Sequence, residues 1–498
     1  MTGWLSDVLR LVWGAFYWNA RKTWHVARGR RGACPCHVAS DSGRARETGC
    51  EAAIGYRSPA RFRTVCPLLE RKADGAWVCS VNSEQVRPFW GRASLIASAC
   101  LLALGLITSA GVFGLLRGIG YDIRYAQVVW PPAWREFRTV QAAYHLEKAR
   151  EAQSAGRIAE SILYLSNAYE LNPRDPRPGL LLAQLWQVGQ PLLSDQTYAR
   201  IYAEHPDRRP AVAQAWFRAL LARGDFLSVQ RLAGEQLLSA KGTPSPAWAQ
   251  AFLFANRRLS DAGALNQLLT EMKGTGAHAS LLRLEDNLAQ TPSQTSRVTL
   301  LTDYLAGGPD AFAQYHALRR LLEENRPDLV LSLASKRGGT LGDREKARLQ
   351  LDALAVAGRD AERAKLVRQL LALPTHPAVC ELLSSHLIAH PAPALLADYA
   401  AKLAREPLPE GDARYPQLLG FFATCIVHRD ASLSAQALDW INTTAGRDFQ
   451  ALSALRDKVL KTPDDLRPEA FLPVLQPLPL EITYAIYDHY NRSLKLAP

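Results

Sequence analysis

One uncharged stretch, residues 93–116, constrains this chain more than any other feature. It reads ASLIASACLLALGLITSAGVFGLL and contains no Asp, Glu, Lys or Arg. A helix rises ~1.5 Å per residue, so a helix of this length crosses a hydrocarbon core of ~30 Å. Arg92 and Arg117 bracket the stretch, and Trp90 and Tyr121 lie just outside them, as at the two interfaces of a membrane. We therefore predict a single transmembrane helix over residues 93–116, and no cleaved signal peptide, because the stretch starts too far into the chain.

The distribution of charge predicts how the chain is oriented. The formal net charge is +12, and residues 1–92 hold 15 Lys and Arg against 7 Asp and Glu. Cationic segments next to a span stay in the cytoplasm, although the same excess also attracts anionic lipid or nucleic acid. We predict a cytoplasmic (inner) membrane protein with a cytoplasmic N-terminal head and the remaining chain outside. The many Ala and Arg residues are typical of a bacterial chain.

The first residues of the head predict an amphipathic helix. Apolar side chains recur at helical spacing within residues 4–18, and Arg and Lys residues follow. This pattern is typical of a helix that lies in the membrane interface. A helix packed against the rest of the head is the alternative.

The head also contains five of the eight cysteines. Two β-like runs, 64–69 and 76–81, flank an Asp-Gly turn signal and predict a hairpin that brings Cys66 near Cys79. In an extended strand Cys34 and Cys36 point to the same side. Two such pairs form a tetrahedral site that suits structural zinc. An iron–sulfur centre, free thiols and a disulfide remain alternatives. The predicted ligands are Cys34, Cys36, Cys66 and Cys79, with Cys50 or His37 as substitutes.

Small residues line one side of the predicted span. Ala99, Ala103, Ala110 and Gly114 recur at helical spacing. Small residues allow transmembrane helices to approach closely, so self-association through this stripe is a further expectation.

Residues 141–173 predict a helix, a turn at Gly156 and a second helix that ends before Asn172 and Pro173. The unit resembles a tetratricopeptide repeat, although His145 and Lys148 depart from its preferred residues. A second unit follows at an offset of 33 residues, and Gly224 and Gly358 mark weaker ones. The positions that carry the resemblance are Ala149, Gly156, Ser161, Leu165, Ala168 and Pro173 in the first unit, and Leu182, Gly189, Ser194, Tyr198 and Pro206 in the second.

The resemblance implies a mainly α-helical solenoid whose concave side binds a protein or peptide, as repeats of this kind stack to bury a shared core. We expect the binding face on the repeats of residues 141–242; a spacer without a partner is the alternative. The predicted segments are an interfacial helix (1–20), a cysteine-rich module (21–92), the transmembrane helix (93–116), a linker (117–138), TPR-like repeats (139–274), a degenerate helical-repeat region (275–490) and a tail (491–498).

The sequence contains no catalytic motif: nucleotide-binding loops, nucleophile elbows and H-E-x-x-H are all absent. His386 and His390 are spaced to share a helix face but lack the adjacent Glu of a metalloprotease, so we expect solvated histidines. No nucleic-acid-binding fold is visible. We therefore expect a non-enzymatic membrane scaffold that binds a protein partner in envelope assembly, transport or secretion. The alternative is a transmembrane sensor that uses thiol or metal chemistry in the head.

Overall fold

The computed structural model describes residues 90–239, 245–273, 278–335, 340–462 and 466–496, with single positions between 12 and 28 and short segments between 69 and 79. The chain divides into two compact units, Met1–Tyr144 and His145–Pro498. The described residues are mainly helical, as the sequence predicts.

The first unit contains a short antiparallel hairpin within the predicted head. Strand β1 (Leu69–Arg71) pairs with β2 (Trp77–Cys79), and Leu69 lies opposite Cys79. The described positions between 12 and 27 are helical, and Trp13 and Phe16 among them are exposed.

Helix α1 (Trp90–Ile119) contains the predicted span. Its portion Ala97–Ile119 has a mean hydropathy of 2.2, and none of that window is buried. The helix is therefore long and apolar enough to cross a membrane, and it is not the core helix of a globular domain. A signal sequence has the same length and composition.

After α1 the chain bends back along the end of this helix. Gly120 has a φ of +108°, a backbone conformation that a side chain would strain. The Tyr125 hydroxyl then lies 2.6 Å from the Ser109 hydroxyl, and the Tyr125 ring packs edge-on against Phe113. A short helix α2 (Ala126–Val129) and the 3-10 turn Pro131–Ala133 follow.

From α3 onward the described residues form nine consecutive helix–turn–helix pairs. From Pro176 onward the first helices of the pairs begin 32 to 37 residues apart. The pairs are α3/α4 (Trp134–Ser154, Ile158–Leu171), α5/α6 (Pro176–Gly189, Pro191–Glu204), α7/α8 (Arg209–Ala222, Phe226–Ser239), α9/α10 (Pro246–Leu259, Ala262–Glu271), α11/α12 (Ala279–Gln290, Gln294–Ala306), α13/α14 (Ala311–Glu323, Pro327–Ala334), α15/α16 (Asp343–Val356, Asp360–Ala372), α17/α18 (Pro377–Ala389, Pro393–Arg405) and α19/α20 (Arg414–Val427, Ala431–Ala445).

The first pair shows why these residues form this unit. Gly156 has a φ of +74° in the predicted turn, and α4 ends at Leu171, where the sequence predicts the stop. Leu165 and Ala168 are buried at the interface that the pattern indicates. Small side chains at such positions let two helices approach closely, because packing in a protein interior leaves little space.

The first helices of successive pairs pack side by side from α13 through α19. They contribute to one continuous apolar core that includes Phe421, Phe422 and Leu387. Pair follows pair through this region, although the repeat pattern of the sequence is degenerate there. Cys380 and Cys425 are buried free thiols in this core, and burial raises the pKa of both.

The last part of the chain leaves the pattern of pairs. After α21 (Gln450–Lys461), the 3-10 turns Pro468–Ala470 and Leu472–Leu475 lead to α22 (Leu480–Leu496). We call residues 466–496 the C-terminal segment. Helix α22 packs against α17. Its Ile482 side chain also lies so close to the backbone of α19 that a Cβ at Gly420 would be only 2.5 Å from it.

The C-terminal segment is part of the core and not an appendage. Phe471, Leu472, Ile482, Ile486 and Tyr487 are each at most 1% exposed. Burying one large apolar side chain contributes ~1.5–3 kcal/mol. The segment is therefore held firmly against the first helices of the pairs.

Candidate functional site

The array and the C-terminal segment line a cavity of about 700 Å³ that is open to solvent, which we call the central cavity. Six first helices border it: α7, α9, α13, α15, α17 and α19. The C-terminal segment contributes Pro477, Pro479, Leu480 and Glu481. A volume of this size lies in the range of ~300–1,000 Å³ that is typical of ligand sites.

Hydrogen bonds hold the C-terminal wall of the cavity in place. Arg218 of α7 donates from Nη1 to the Leu478 carbonyl at 3.2 Å. Gln250 of α9 donates from Nε2 to Glu481 Oε1 at 3.0 Å. Both donors come from helices more than 200 residues away in sequence, so the wall exists only when the chain end is docked.

Charged side chains on α15 and α17 form the opposite wall. Arg344 pairs with Glu381 at 2.7 Å between Nη2 and Oε2. Arg348 lies deeper, and its side chain is 8% exposed. Neutral polar groups, Ser385 and Gln417, also border the cavity. The wall therefore combines charged, hydrogen-bonding and apolar groups.

A buried carboxylate holds Arg348 from behind. Asp352 Oδ2 accepts from Arg348 Nε at 2.7 Å, and Asp352 Oδ1 lies 2.6 Å from His386 Nδ1. Arg348 Nη1 also donates to the Ser385 hydroxyl. Burial alone would raise the pKa of Asp352, but Arg348 and His386 together outweigh it and hold that pKa well below its usual range.

Arg363 determines the tautomer of His386. Its Nε donates to His386 Nε2 at 3.1 Å, and its Nη2 donates to the His390 carbonyl at 2.6 Å. The ring nitrogen that accepts carries no proton, so Nδ1 is protonated and donates to Asp352. Burial lowers the pKa of His386 more than the hydrogen bond to Asp352 raises it, which keeps the ring neutral. We call Arg348, Asp352, His386 and Arg363 the Asp352 network.

Asp352, His386 and His390 also form a possible metal-binding triad. One ligand atom of each lies within 4.8 Å of the others. A histidine that binds metal usually donates its other ring N–H to an acceptor. Here the other nitrogen of His386 faces the Arg363 donor, so metal binding through Nδ1 requires Arg363 to move. The observed contacts therefore fit a hydrogen-bonded ion network better than an occupied metal site.

The prediction that His386 and His390 are solvated is wrong. The side chain of His386 is 0% exposed and that of His390 is 16% exposed. The physical reason is that partners from α15 and α16, Asp352 and Arg363, satisfy the ring nitrogens of His386 inside the core. Histidine spacing on one helix does not indicate such partners.

Most of the predicted cysteine site lies outside the described residues. Cys79 ends β2, and its backbone pairs with Leu69. The zinc site therefore stays a prediction. The other predicted ligands, all outside the described residues, are Cys34, Cys36, Cys66, Cys50 and His37.

The predicted binding face on residues 141–242 is partly covered by the chain itself. A second cavity of about 250 Å³ lies there between α5 and α7, and Gln476 of the C-terminal segment borders it. Gln476 donates to the Gln184 carbonyl at 3.2 Å. Of the residues that border the larger central cavity, Arg218 alone belongs to this range. The main space lies farther along the array.

The sequence patterns do not predict the Asp352 network or the central cavity. One signal was present: Arg348 and Asp352 are four residues apart inside the apolar repeat of α15, a spacing that favours an ion pair. Burial of both charges was not visible, because their other partners come from α17.

The chain has no match among protein-family models, curated proteins or solved structures in these comparisons. The family therefore stays a proposal.

Proposed function

We propose that this chain is a membrane-anchored, non-enzymatic scaffold that binds a protein partner in the central cavity of its helical-repeat unit. The observation that carries the proposal is the cavity itself, about 700 Å³ in volume, with both apolar and charged walls. Cavities with a few placed polar groups among apolar ones are the usual form of binding sites. Envelope assembly, transport and secretion are the processes that a partner at the membrane suggests.

Helix α1 supports the anchoring part of the proposal. The segment Ala97–Ile119 is strongly apolar, with Arg117 near its end, and none of its apolar window is buried, which is unfavourable in water and favourable in lipid. Its position after a basic head of some 90 residues favours a span over a signal sequence. The proposed arrangement is a single pass through the inner membrane, with the head in the cytoplasm and the helical-repeat unit outside.

The arrangement of helices supports kinship with tetratricopeptide repeats. Ser194, at a position where the family prefers a small residue, is fully buried and donates to the Ala183 carbonyl of the adjacent helix at 2.7 Å. Ala149 and Tyr198, also at family positions, are buried as well. Kinship would explain a unit built to hold polypeptide, because solenoids of this class present extended binding surfaces.

The experiment compares two tryptophan variants of the full-length chain. Ala413 is exposed at the start of α19 and borders the cavity, so Ala413→Trp fills part of it. Leu163 is 59% exposed on α4 and does not border the cavity, so Leu163→Trp is the matched control. Each variant is purified in mild detergent, and co-purifying proteins are quantified by mass spectrometry.

We expect a stoichiometric partner with the wild-type chain and with Leu163→Trp, and its loss with Ala413→Trp. Circular dichroism checks that both variants are folded. A partner that is retained equally by both variants would place binding elsewhere, and recovery of the wild-type chain alone would contradict the scaffold.

A further inference from the structure

We propose that the central cavity accepts a short, dipolar polypeptide segment, which presents a carboxylate to Arg218 and a cationic side chain to Glu345. This inference rests on the proposed function and specifies the chemistry of the partner. It commits to a peptide segment, because the cavity offers opposite charges together with a buried, unpartnered amide oxygen.

The charges on the cavity walls are only partly paired. Arg344 pairs with Glu381, and Arg348 pairs with Asp352. Among the described residues, no carboxylate lies within ion-pair distance of Arg218, and no cationic group lies within that distance of Glu345 or of Glu481, which accepts from the neutral Gln250. Arg218 therefore favours an entering anion, and Glu345 favours an entering cation.

The unpaired charges lie on different parts of the wall. Arg218 belongs to α7, Glu345 to α15 and Glu481 to α22, and all three border the same cavity. A lone anion or a lone cation would satisfy one wall and be repelled by the other. A ligand that carries both charges at separate positions matches both walls at once, and complementary charge of this kind also fixes the direction of binding.

Gln417 of α19 offers an unused hydrogen-bond acceptor. It is 6% exposed, it borders the cavity, and its Oε1 has no hydrogen-bond partner. Buried polar atoms in folded proteins normally have a partner. A backbone N–H of an entering peptide satisfies this acceptor, and the same amide group has donors that suit a peptide carbonyl.

Part of the cavity wall is apolar. Phe312, Leu382 and Pro416 line it on the array side, and Pro477 and Pro479 line it on the side of the C-terminal segment. The proline rings and the Phe312 ring form rigid surfaces for the side chains between the two charged positions of a peptide. These surfaces can bury apolar atoms of a bound peptide, and charge pairs alone do not bury such atoms.

The experiment uses the purified full-length chain in detergent and defined peptide mixtures. The dipolar mixture contains end-blocked pentapeptides with lysine first, glutamate last and three randomised positions. A reversed mixture exchanges the two charges, and a neutral mixture has norleucine and glutamine instead. Affinity selection followed by mass spectrometry gives the relative binding. Free glycyl dipeptides, which are small zwitterions, form a separate arm.

We expect a dipolar mixture, in one of the two orders, to bind at least ~10-fold better than the neutral mixture, the factor expected from ~1.4 kcal/mol of charge pairing. Arg218→Gln, which keeps an N–H donor for the Leu478 carbonyl, should remove the preference for glutamate, and Glu345→Gln should remove the preference for lysine. Arg174→Glu, an exposed site outside the cavity, should change nothing.

Equal binding of the dipolar and neutral mixtures would overturn the inference, and so would variants without effect on the preference. Binding of the dipeptides alone would also overturn it, in favour of a small zwitterionic ligand. If these results coincide with loss of the partner in Ala413→Trp, the proposed scaffold stands and the peptide chemistry fails.

Discussion

Removal of the Asp352 carboxylate tests whether the network behind the cavity wall is a buried ion pair. Asp352 bridges Arg348 and His386, with side-chain exposures of 7%, 8% and 0% respectively. Asp352→Ala leaves the Arg348 guanidinium buried without its carboxylate and removes the acceptor of the His386 Nδ1 proton. Breaking a buried pair by removing one partner costs about 3–5 kcal/mol of unfolding free energy.

Asp360 provides a matched control in the same region. Its carboxylate is 3.6 Å from Arg363 Nη1, but its side chain is 81% exposed. Exposed ion pairs contribute about 0–1 kcal/mol, because water screens them. Asp360→Ala removes the same chemical group from α16 and should cost no more than this.

The assay is urea unfolding of the full-length chain in detergent, followed by tryptophan fluorescence and by pulse proteolysis. We expect the midpoint to fall strongly for Asp352→Ala and to change little for Asp360→Ala. Because Arg348 borders the central cavity, Asp352→Ala should also weaken partner binding at temperatures where the variant is folded. Two variants of equal stability would refute the reasoning, since they would mean that water reaches Arg348.

Three further predictions follow from single contacts. His386 has a lowered pKa in the folded chain, so the unfolded chain takes up a proton first as the pH falls below 6.5, the ordinary pKa of histidine. The unfolding free energy should therefore fall from pH 7 to pH 5. A flat pH profile of the unfolding free energy in urea titrations would contradict this. Gly224 and Gly358 both have positive φ, +72° and +68°, but a Cβ at Gly224 would lie 2.5 Å from Glu469 Cγ, whereas one at Gly358 would meet no atom. Gly224→Ala should therefore lower the melting temperature more than Gly358→Ala does. The reverse order would argue against a docked C-terminal segment. Tyr487→Phe removes a 2.7 Å hydrogen bond to a buried carbonyl of α7. The variant should lose about 0.5–1.5 kcal/mol of unfolding free energy in the same urea assay. An unchanged unfolding midpoint would mean that the hydrogen bond is not made.

The sequence predicts the elements that depend on local chemistry. The apolar helix can be predicted because a run of 24 uncharged residues is rare outside membrane-spanning segments, and α1 contains that run. The turn at Gly156 and the end of α4 before Pro173 are visible because glycine and proline restrict the backbone in known ways. These features need no knowledge of distant residues.

The central cavity was not predictable in this way. Its C-terminal wall depends on contacts such as the hydrogen bond from Arg218 to Leu478, which joins residues 260 positions apart. No periodic pattern indicates that the last helix returns to the first helices of the pairs. A single sequence shows which residues are apolar, but it does not show which apolar surfaces meet.

His386 illustrates the same limit within the site. Its spacing from His390 suggested a helix face in water, because isolated polar residues are mostly solvated. The structure buries it, since Asp352 and Arg363 from two other helices satisfy both ring nitrogens. Whether a polar side chain is a core residue or a surface residue is decided by such partners.

Site-specific photocrosslinking in living cells tests whether the central cavity holds a segment of a partner protein. A photoreactive phenylalanine analogue is placed at Ala413 in the cavity wall, and at Leu163 as the control on α4. We predict one dominant protein adduct at position 413, mapped to a short segment with both an acidic and a basic residue, and no such adduct at position 163. Absence of a protein adduct at 413, or the same adducts at both positions, would contradict it.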